Sequence, residues 1–197
     1  MTVSDLVVLG GGIMGLTTAL AAADRGLRVT LIDQLRPGAA SRASAGMLAP
    51  SVGEMAPDAM PAALAARDHY PAFLDRLRDR SEIDVPLNRA GILELAATEA
   101  ELDTLVAHAP ATAERLDPPA LARLEAAFAT HPGALLHPGD GAVDTVTLVR
   151  ALDVAVARQS RISRVTDEVA SLDVRGNLPA FQSRGGTRYA RKRLLDR

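Results

Sequence analysis

Residues 5–48 read DLVVLGGGIMGLTTALAAADRGLRVTLIDQLRPGAASRASAGML, and this stretch decides the fold. Asp5 to Leu9 is a β-branched and leucine run that feeds directly into Gly10, Gly12 and Gly15, the G-x-G-x-x-G spacing of a dinucleotide fingerprint. Gly10 lets the chain turn off the strand, Gly12 lets backbone approach a pyrophosphate, and Gly15 lets the next helix pack tightly on the sheet. A helix is predicted from about Ile13 to Arg25, stopped by Gly26, with its first-turn N–H groups and positive dipole end aimed at phosphate. A second strand, Arg28 to Ile32, ends at Asp33, an acid at the spacing that sets a carboxylate against an adenosine ribose. A glycine triplet alone is also what any Gly-rich turn in an α/β protein shows. Here strand, glycines, helix, strand and terminal acid fall in register within the roughly 30 residues of a βαβ unit, so dinucleotide binding is the better reading.

Composition removes several other classes. At 197 residues and 48% hydrophobic content the chain is long enough for one good core or one and a half domains. A net charge of −2 gives no reason to expect nucleic acid or a membrane as partner. The absence of cysteine excludes a disulfide framework, a thiolate nucleophile and a cysteine metal site, and suits a reducing cytoplasm. The apolar run from Leu6 to Ala23 has Asp5 in front, no basic segment before it and four glycines inside it. It therefore reads as the fingerprint rather than as a signal peptide or span, and a soluble, unprocessed, cytoplasmic protein is expected. His69, His108, His131 and His137 show no ligand spacing, and no Ser-His-Asp set occurs in a strand-turn-helix context, so neither a metal site nor hydrolysis is expected.

After a loop over 51–60, a helix is predicted from about Asp58 to Arg80, with Tyr70, Phe73, Leu74 and Leu77 in one apolar stripe. Pro61 suits its first turn, whereas Pro71 is expected to kink or break it. His69 and Tyr70 read as surface and packing positions on this helix. Val85 to Leu87 and Gly91 to Ala96 read as strands. Thr98 to Glu101 forms a capping box opening a helix to about His108, and Asp117-Pro118 caps another through Phe128. A strand over Ala134 to His137 and a turn over Pro138 to Gly141 follow. Asp144 or Thr145 then starts a helix to about Arg158, with Leu148, Leu152 and Val156 on one face. Strands at Ile162 to Val165, Val169 to Arg175, Ala180 to Ser183 and Thr187 to Tyr189, with turns at Gly176-Asn177 and Gly185-Gly186, read as a β-meander returning to the nucleotide domain. The basic ending RGGTRYARKRLLDR reads as a solvated terminus rather than an RNA-binding tail.

The small-residue loop from Ser41 to Pro50 bears on which dinucleotide is held. Its backbone can pass close to a flat ring system and offer N–H and hydroxyl donors, although its composition alone also fits an ordinary surface loop. The run VVLGGGIMGLTTALAAADRGLRVTLID followed by SRASAGMLAP resembles the FAD-dependent amine and amino-acid oxidases of the D-amino-acid oxidase superfamily. Within it, Ala45 to Pro50 is similar to the glycine oxidases of thiamine biosynthesis. The resemblance implies that Gly10, Gly12, Ile13, Met14 and Gly15 line the pyrophosphate and that Asp33 holds the adenosine ribose. It implies that Ser41, Arg42, Ala45, Gly46, Met47 and Leu48 touch the diphosphate or the flavin ring, and that Val169 pairs by backbone with the adenine. Two positions depart from the family: the ribose acid is more often glutamate, and Arg42 is bulkier and more charged than its place suggests.

The fold so implied is α/β: a Rossmann-like FAD-binding βαβ unit with a parallel sheet and a β-meander, plus part of an inserted α+β substrate domain. The expected division is 1–80, 81–145 and 146–197, with GDGAVDTVTLVRAL the most recognisable part after the fingerprint. The resemblance spans nearly all of the chain but about the first half of a family member, which implies an unpaired sheet edge and a marginally stable, aggregation-prone chain. The leading functional reading is an FAD-dependent oxidoreductase acting on a small amino acid or amine. By resemblance, hydride passes to flavin N5, the imine hydrolyses to an oxo acid and ammonia, and O₂ is reduced to peroxide; no catalytic side chain is assigned. The alternative is a non-catalytic FAD-binding half, truncated or needing a complementary C-terminal half. A nicotinamide-dependent reductase shares the fingerprint but not the SRASAGMLAP loop, and ranks below both.

Overall fold

The computed structural model describes residues 4–35, 39–53, 55–175, 178–184 and 188–190. In chain order, strand β1 (Leu6–Leu9) leads to helix α1 (Ile13–Asp24) and strand β2 (Val29–Asp33). A one-turn helix α2 (Ala40–Ala43), strand β3 (Met47–Leu48) and the long helix α3 (Met60–Ser81) follow. Then come β4 (Leu87–Asn88), β5 (Ile92–Ala96), α4 (Glu99–His108), β6 (Glu114–Leu116), α5 (Pro118–Leu124), a 3₁₀ turn at Ala126–Thr130, β7 (Gly133–His137) and β8 (Gly141–Val143). The chain continues through α6 (Thr145–Arg158), β9 (Ile162–Thr166), β10 (Val169–Arg175), β11 (Leu178–Ser183) and β12 (Arg188–Ala190). Residues 1–44, 74–85 and 145–197 form one compact unit, and 45–73 with 86–144 a second. Set beside the expected boundaries, this division assigns 45–73 to the second unit.

The first unit is built on the parallel sheet β1-β2-β9. Leu6 pairs with Val29 and Leu9 with Ile32, and on the other side Val29 pairs with Ile162 and Asp33 with Thr166. As the middle strand, β2 is buried along most of its length, with Val29, Leu31 and Ile32 at most 2% exposed, as a strand covered on both faces must be. Helix α1 presents Leu16, Ala19, Leu20 and Ala23 to this core; its alanines allow close approach, which contacts with α6 exploit. Helix α6 buries Leu148, Leu152 and Val156, the stripe expected from its spacing, together with Val149 and Ala155. Helix α1 ends in a Schellman motif. Gly26 takes a positive φ of 85°, its N–H bonds the Ala23 carbonyl, and the Leu27 N–H bonds Ala22. Strands β10, β11 and β12 form an antiparallel meander. Its two turns, and the basic ending from Arg191, lie outside the described residues.

The second unit holds two antiparallel sheets, β3-β8-β4 and β5-β7-β6. Strand β7 is the centre of the latter; its Ala134 and Leu135 are buried, as are Leu102 of α4 and Leu121 of α5, the helices that contact it. Gly133 is required there because a Cβ would sit 2.7 Å from Leu102 Cδ2 and 3.0 Å from the Leu116 carbonyl. The Thr98 half of the capping box forms as expected, and its return bond falls one residue earlier, on Ala97 rather than on Thr98. Thr98 Oγ1 accepts from the Glu101 N–H at 3.2 Å, and the Glu101 carboxylate reaches back to the Ala97 N–H at 2.8 Å. Thr98→Ala is expected to cost about 1 kcal/mol of unfolding free energy, read as a lower urea midpoint at constant m.

Two local expectations are corrected and three short strands are added. Pro71 does not break α3, which runs unbroken from Met60 to Ser81; proline removes one N–H donor, and the turns on either side keep theirs. Helix α5 stops at Leu124 rather than Phe128 because Glu125 is extended, with φ −153° and ψ 125°. Strands β3, β6 and β8 were not expected, since two or three residues are too few to show a period.

Candidate functional site

The glycine loop is assembled by backbone. Gly10 takes φ 95°, and its N–H bonds the Ile32 carbonyl at 2.8 Å, tying the turn to the end of β2. Gly12 is the N-cap of α1 and has no side chain to cap with. Ser41 Oγ supplies that function from α2, accepting from the Ile13 N–H at 3.2 Å. A Cβ on Gly12 would lie 3.0 Å from this oxygen. A Cβ on Gly11 would lie 2.8 Å from Asp33 Oδ2, so the bare backbone lets the carboxylate sit against the loop. Gly15 has no room at all: a Cβ would land on the Gly10 carbonyl oxygen.

These elements border an open cleft of about 530 Å³ at the carboxyl ends of β1 and β2, the side of an open α/β sheet where ligands bind. Gly11, Gly12, Asp33, Ser41 and Arg42 line it together, so five positions from three separate segments meet. Asp153 of α6 and Arg164 of β9 complete one wall. Asp153 Oδ1 accepts from Arg164 at 2.8 Å, and Oδ2 accepts from Arg42 at 3.4 Å. Gly10, Ile13, Met14 and Gly15, on the same turn, are not among the lining residues, and Met14 is 79% exposed. Val169 starts β10, opposite Ser183, and is not among the lining residues. Asp153 and Arg164 went unnoticed in the sequence: Asp153 lies just beside the apolar stripe of α6, and nothing local marks either residue.

Ala45, Gly46, Met47 and Leu48 belong to the second unit. Strand β3 pairs there with β8, Met47 opposite Ala142 and Leu48 opposite Gly141. Met47 and Leu48, with Met55, Ala63, Ala66 and Tyr70, line a shallow apolar hollow of about 330 Å³ that Arg67 also borders. Burial pushes the Tyr70 phenol above its ordinary pKa. Arg67 is tied to a fully buried Asp140 at 2.8 Å, and Asp140 also accepts from the Ser51 N–H at 3.0 Å and hydroxyl at 3.1 Å.

The chemistry of the first cleft fits the diphosphate and ribose of a dinucleotide. It offers glycine backbone too tight for a Cβ, a helix N-terminus, a carboxylate for hydroxyl groups and arginine for phosphate. Among the described residues no group of three or more His, Cys, Asp or Glu could hold a metal ion. No helix among them is long and apolar enough to cross a membrane.

Comparison with known proteins agrees with this geometry. Glycine oxidase of Geobacillus kaustophilus is 31% identical over 93% of this chain and 51% of that protein. The crystal structure of glycine oxidase from the same species superposes with a TM-score of 0.87 at 28% identity, covering 97% of this chain and 54% of that one. The bifunctional protein ThiO/ThiG of Synechocystis is 34% identical over 77% of this chain and 23% of that protein. The structure of iminodiacetate oxidase from Chelativorans sp. BNC1 matches with a TM-score of 0.78 at 28% identity, over 93% of this chain and 52% of that one. The chain thus spans about half the length of the glycine oxidase it matches. Residues 5–192 match the DAO model of FAD-dependent oxidoreductases, so fingerprint, sheet and sequence converge: the chain belongs to the FAD-dependent oxidoreductase family, with FAD as its cofactor.

Proposed function

We propose that this chain holds FAD as part of an oxidase of the glycine oxidase type, acting on a small amino acid or amine. The observation that carries the reading is the convergence of Gly11, Gly12, Asp33 and Ser41 on one cleft at the strand ends. FAD, when bound, supplies the two-electron acceptor; the protein supplies binding and orientation. The glycine loop and the start of α1 hold the diphosphate, Asp33 accepts the ribose hydroxyls, and Ser41 fixes the first turn of α1 against the loop. Ala45, Gly46, Met47, Leu48, Met14 and Val169 are proposed cofactor contacts supported by the likeness to glycine oxidase rather than by the cleft. The relatives named glycine oxidase and iminodiacetate oxidase support a substrate that combines an amine with a carboxylate. The cysteine-free composition supports a cytoplasmic location.

A second reading follows from the share of its relatives that the chain covers: it binds FAD without turnover unless a complementary C-terminal half is present. Anaerobic addition of glycine, sarcosine or iminodiacetate to the FAD-loaded chain separates the two. Flavin bleaching, and peroxide on admitting air, support turnover by this chain alone; a retained flavin that none of them reduces supports the second reading. If the chain takes up no FAD, both fail. Asp33→Ala is expected to weaken FAD binding roughly tenfold, the scale of about 1.4 kcal/mol for lost hydrogen bonds to a charged acceptor; fluorescence titration measures it.

A further inference from the structure

Three charged side chains from three elements meet on one wall of the FAD cleft. Asp153 on α6 is shared between Arg164 of β9 at 2.8 Å and Arg42 of α2 at 3.4 Å. Two cations around one anion on this wall offset the Asp33 carboxylate that lies against Gly11, and they keep arginine in the cleft that Gly12 borders, where an anionic group would lie. The two bonds are unequal. Arg164 has the short length of a charge-assisted hydrogen bond, with its side chain 33% exposed. Arg42 has a long bond, and its side chain is 62% exposed, so little holds it to Asp153. Two oxygens of a phosphate offer the planar guanidinium a bidentate partner that a single carboxylate oxygen at this distance does not. The backbone of Arg42 is already in position, because its neighbour Ser41 is bonded to the N–H of Ile13 at the head of α1.

We propose that Asp153 is a counter-ion gate on cofactor binding. It keeps Arg42 parked on the cleft wall; the diphosphate competes with Asp153 for Arg42, and Arg164 remains on Asp153 to neutralise it. The inference rests on the FAD reading of this cleft, and goes beyond it in making an acidic residue a brake on affinity. The predicted signs are opposite for neighbours in one ion cluster. Losing the arginine weakens diphosphate binding, and losing the acid strengthens it.

The test is calorimetric titration of the purified chain with ADP, adenosine and FAD, for the natural chain and for Arg42→Gln, Asp153→Asn and Arg164→Gln. Arg42→Gln is expected to weaken ADP and FAD about tenfold, the scale of one charge-assisted contact, while adenosine is unchanged and the salt dependence of ADP binding falls. Asp153→Asn is expected to tighten ADP and FAD about threefold, the scale of one weak exposed ion pair. Arg164→Gln leaves the Asp153 charge free to hold Arg42 and is expected to weaken ADP. A thermal melt of each variant accompanies the titrations. If Arg42→Gln lowers ADP and adenosine affinity in the same proportion along with the melting temperature, the cluster is a strut between α2 and α6, and the gate is wrong. Unchanged or weaker ADP binding in Asp153→Asn overturns it as well. A natural chain that binds neither ADP nor FAD overturns the cofactor reading itself. One that binds both while all three variants leave affinity unmoved overturns the gate alone.

Discussion

Gly15→Ala is expected to abolish FAD retention and to lower the melting temperature by roughly 6–12 °C, a loss of about 3 kcal/mol in a chain of this size. The added methyl would land on the Gly10 carbonyl oxygen, with Val8 Cγ1 3.5 Å away. Neither can yield cheaply. The Gly10 N–H is held by the Ile32 carbonyl at 2.8 Å, and Val8 is core. Relief requires α1 to lift from the sheet, which displaces the whole phosphate-facing turn. Gly26→Ala is the control. Gly26 also has a positive φ, 85°, but nothing lies within 4 Å of its Cβ position. It should cost only about 1 kcal/mol of backbone strain and leave FAD affinity intact. Differential scanning fluorimetry with and without FAD reads both quantities.

Asp140→Ala is the second large effect, in the other unit. The Asp140 side chain is fully buried, and it anchors Arg67, Ser51 N–H and Ser51 Oγ together. Removing it takes the buried one of two carboxylates from a guanidinium that is itself only 17% exposed, leaves the exposed Asp68 as its remaining partner at 2.8 Å, and strips the Ser51 N–H and hydroxyl of their acceptor; the expected cost is about 3 kcal/mol, the lower end for a buried pair broken from one side. Urea unfolding should show this as a lower midpoint. The double variant Asp140→Leu/Arg67→Met should be less destabilised than Asp140→Ala, because it removes the buried guanidinium together with its carboxylate and leaves only the solvent-exposed Asp68 behind. A double variant at least as unstable as the single one would show that the ion pair is not what holds Ser51 and α3 together.

The parts of the fold that were legible are those whose signal is local. Residues 5–33 announce β1, the glycine turn, α1 and β2 because each depends on its immediate neighbours: branched residues for the strands, Gly10 for a positive φ, Gly26 for the Schellman stop. Thr98 and Glu101 likewise found each other across one helical turn. What stayed hidden depends on distant partners. Ser41 lies in what read as a loop, yet it caps α1 from 28 residues away. Asp153 and Arg164 reach the cleft only because β9 pairs with β2 and α6 packs against α2. Strands β3 and β8 exist because they pair with each other, not because two or three residues prefer to be extended. The Arg42 side chain, which looked too large and too charged for its place, sits in an ion cluster that no spacing in the sequence reveals.

The most direct measurement is the visible absorption spectrum of the purified chain after FAD has been added and the excess removed, with folding checked by circular dichroism on the same sample. The account predicts a bound flavin spectrum near one equivalent per chain that excess ADP displaces and that Gly15→Ala does not show. A folded chain that retains no flavin would contradict it.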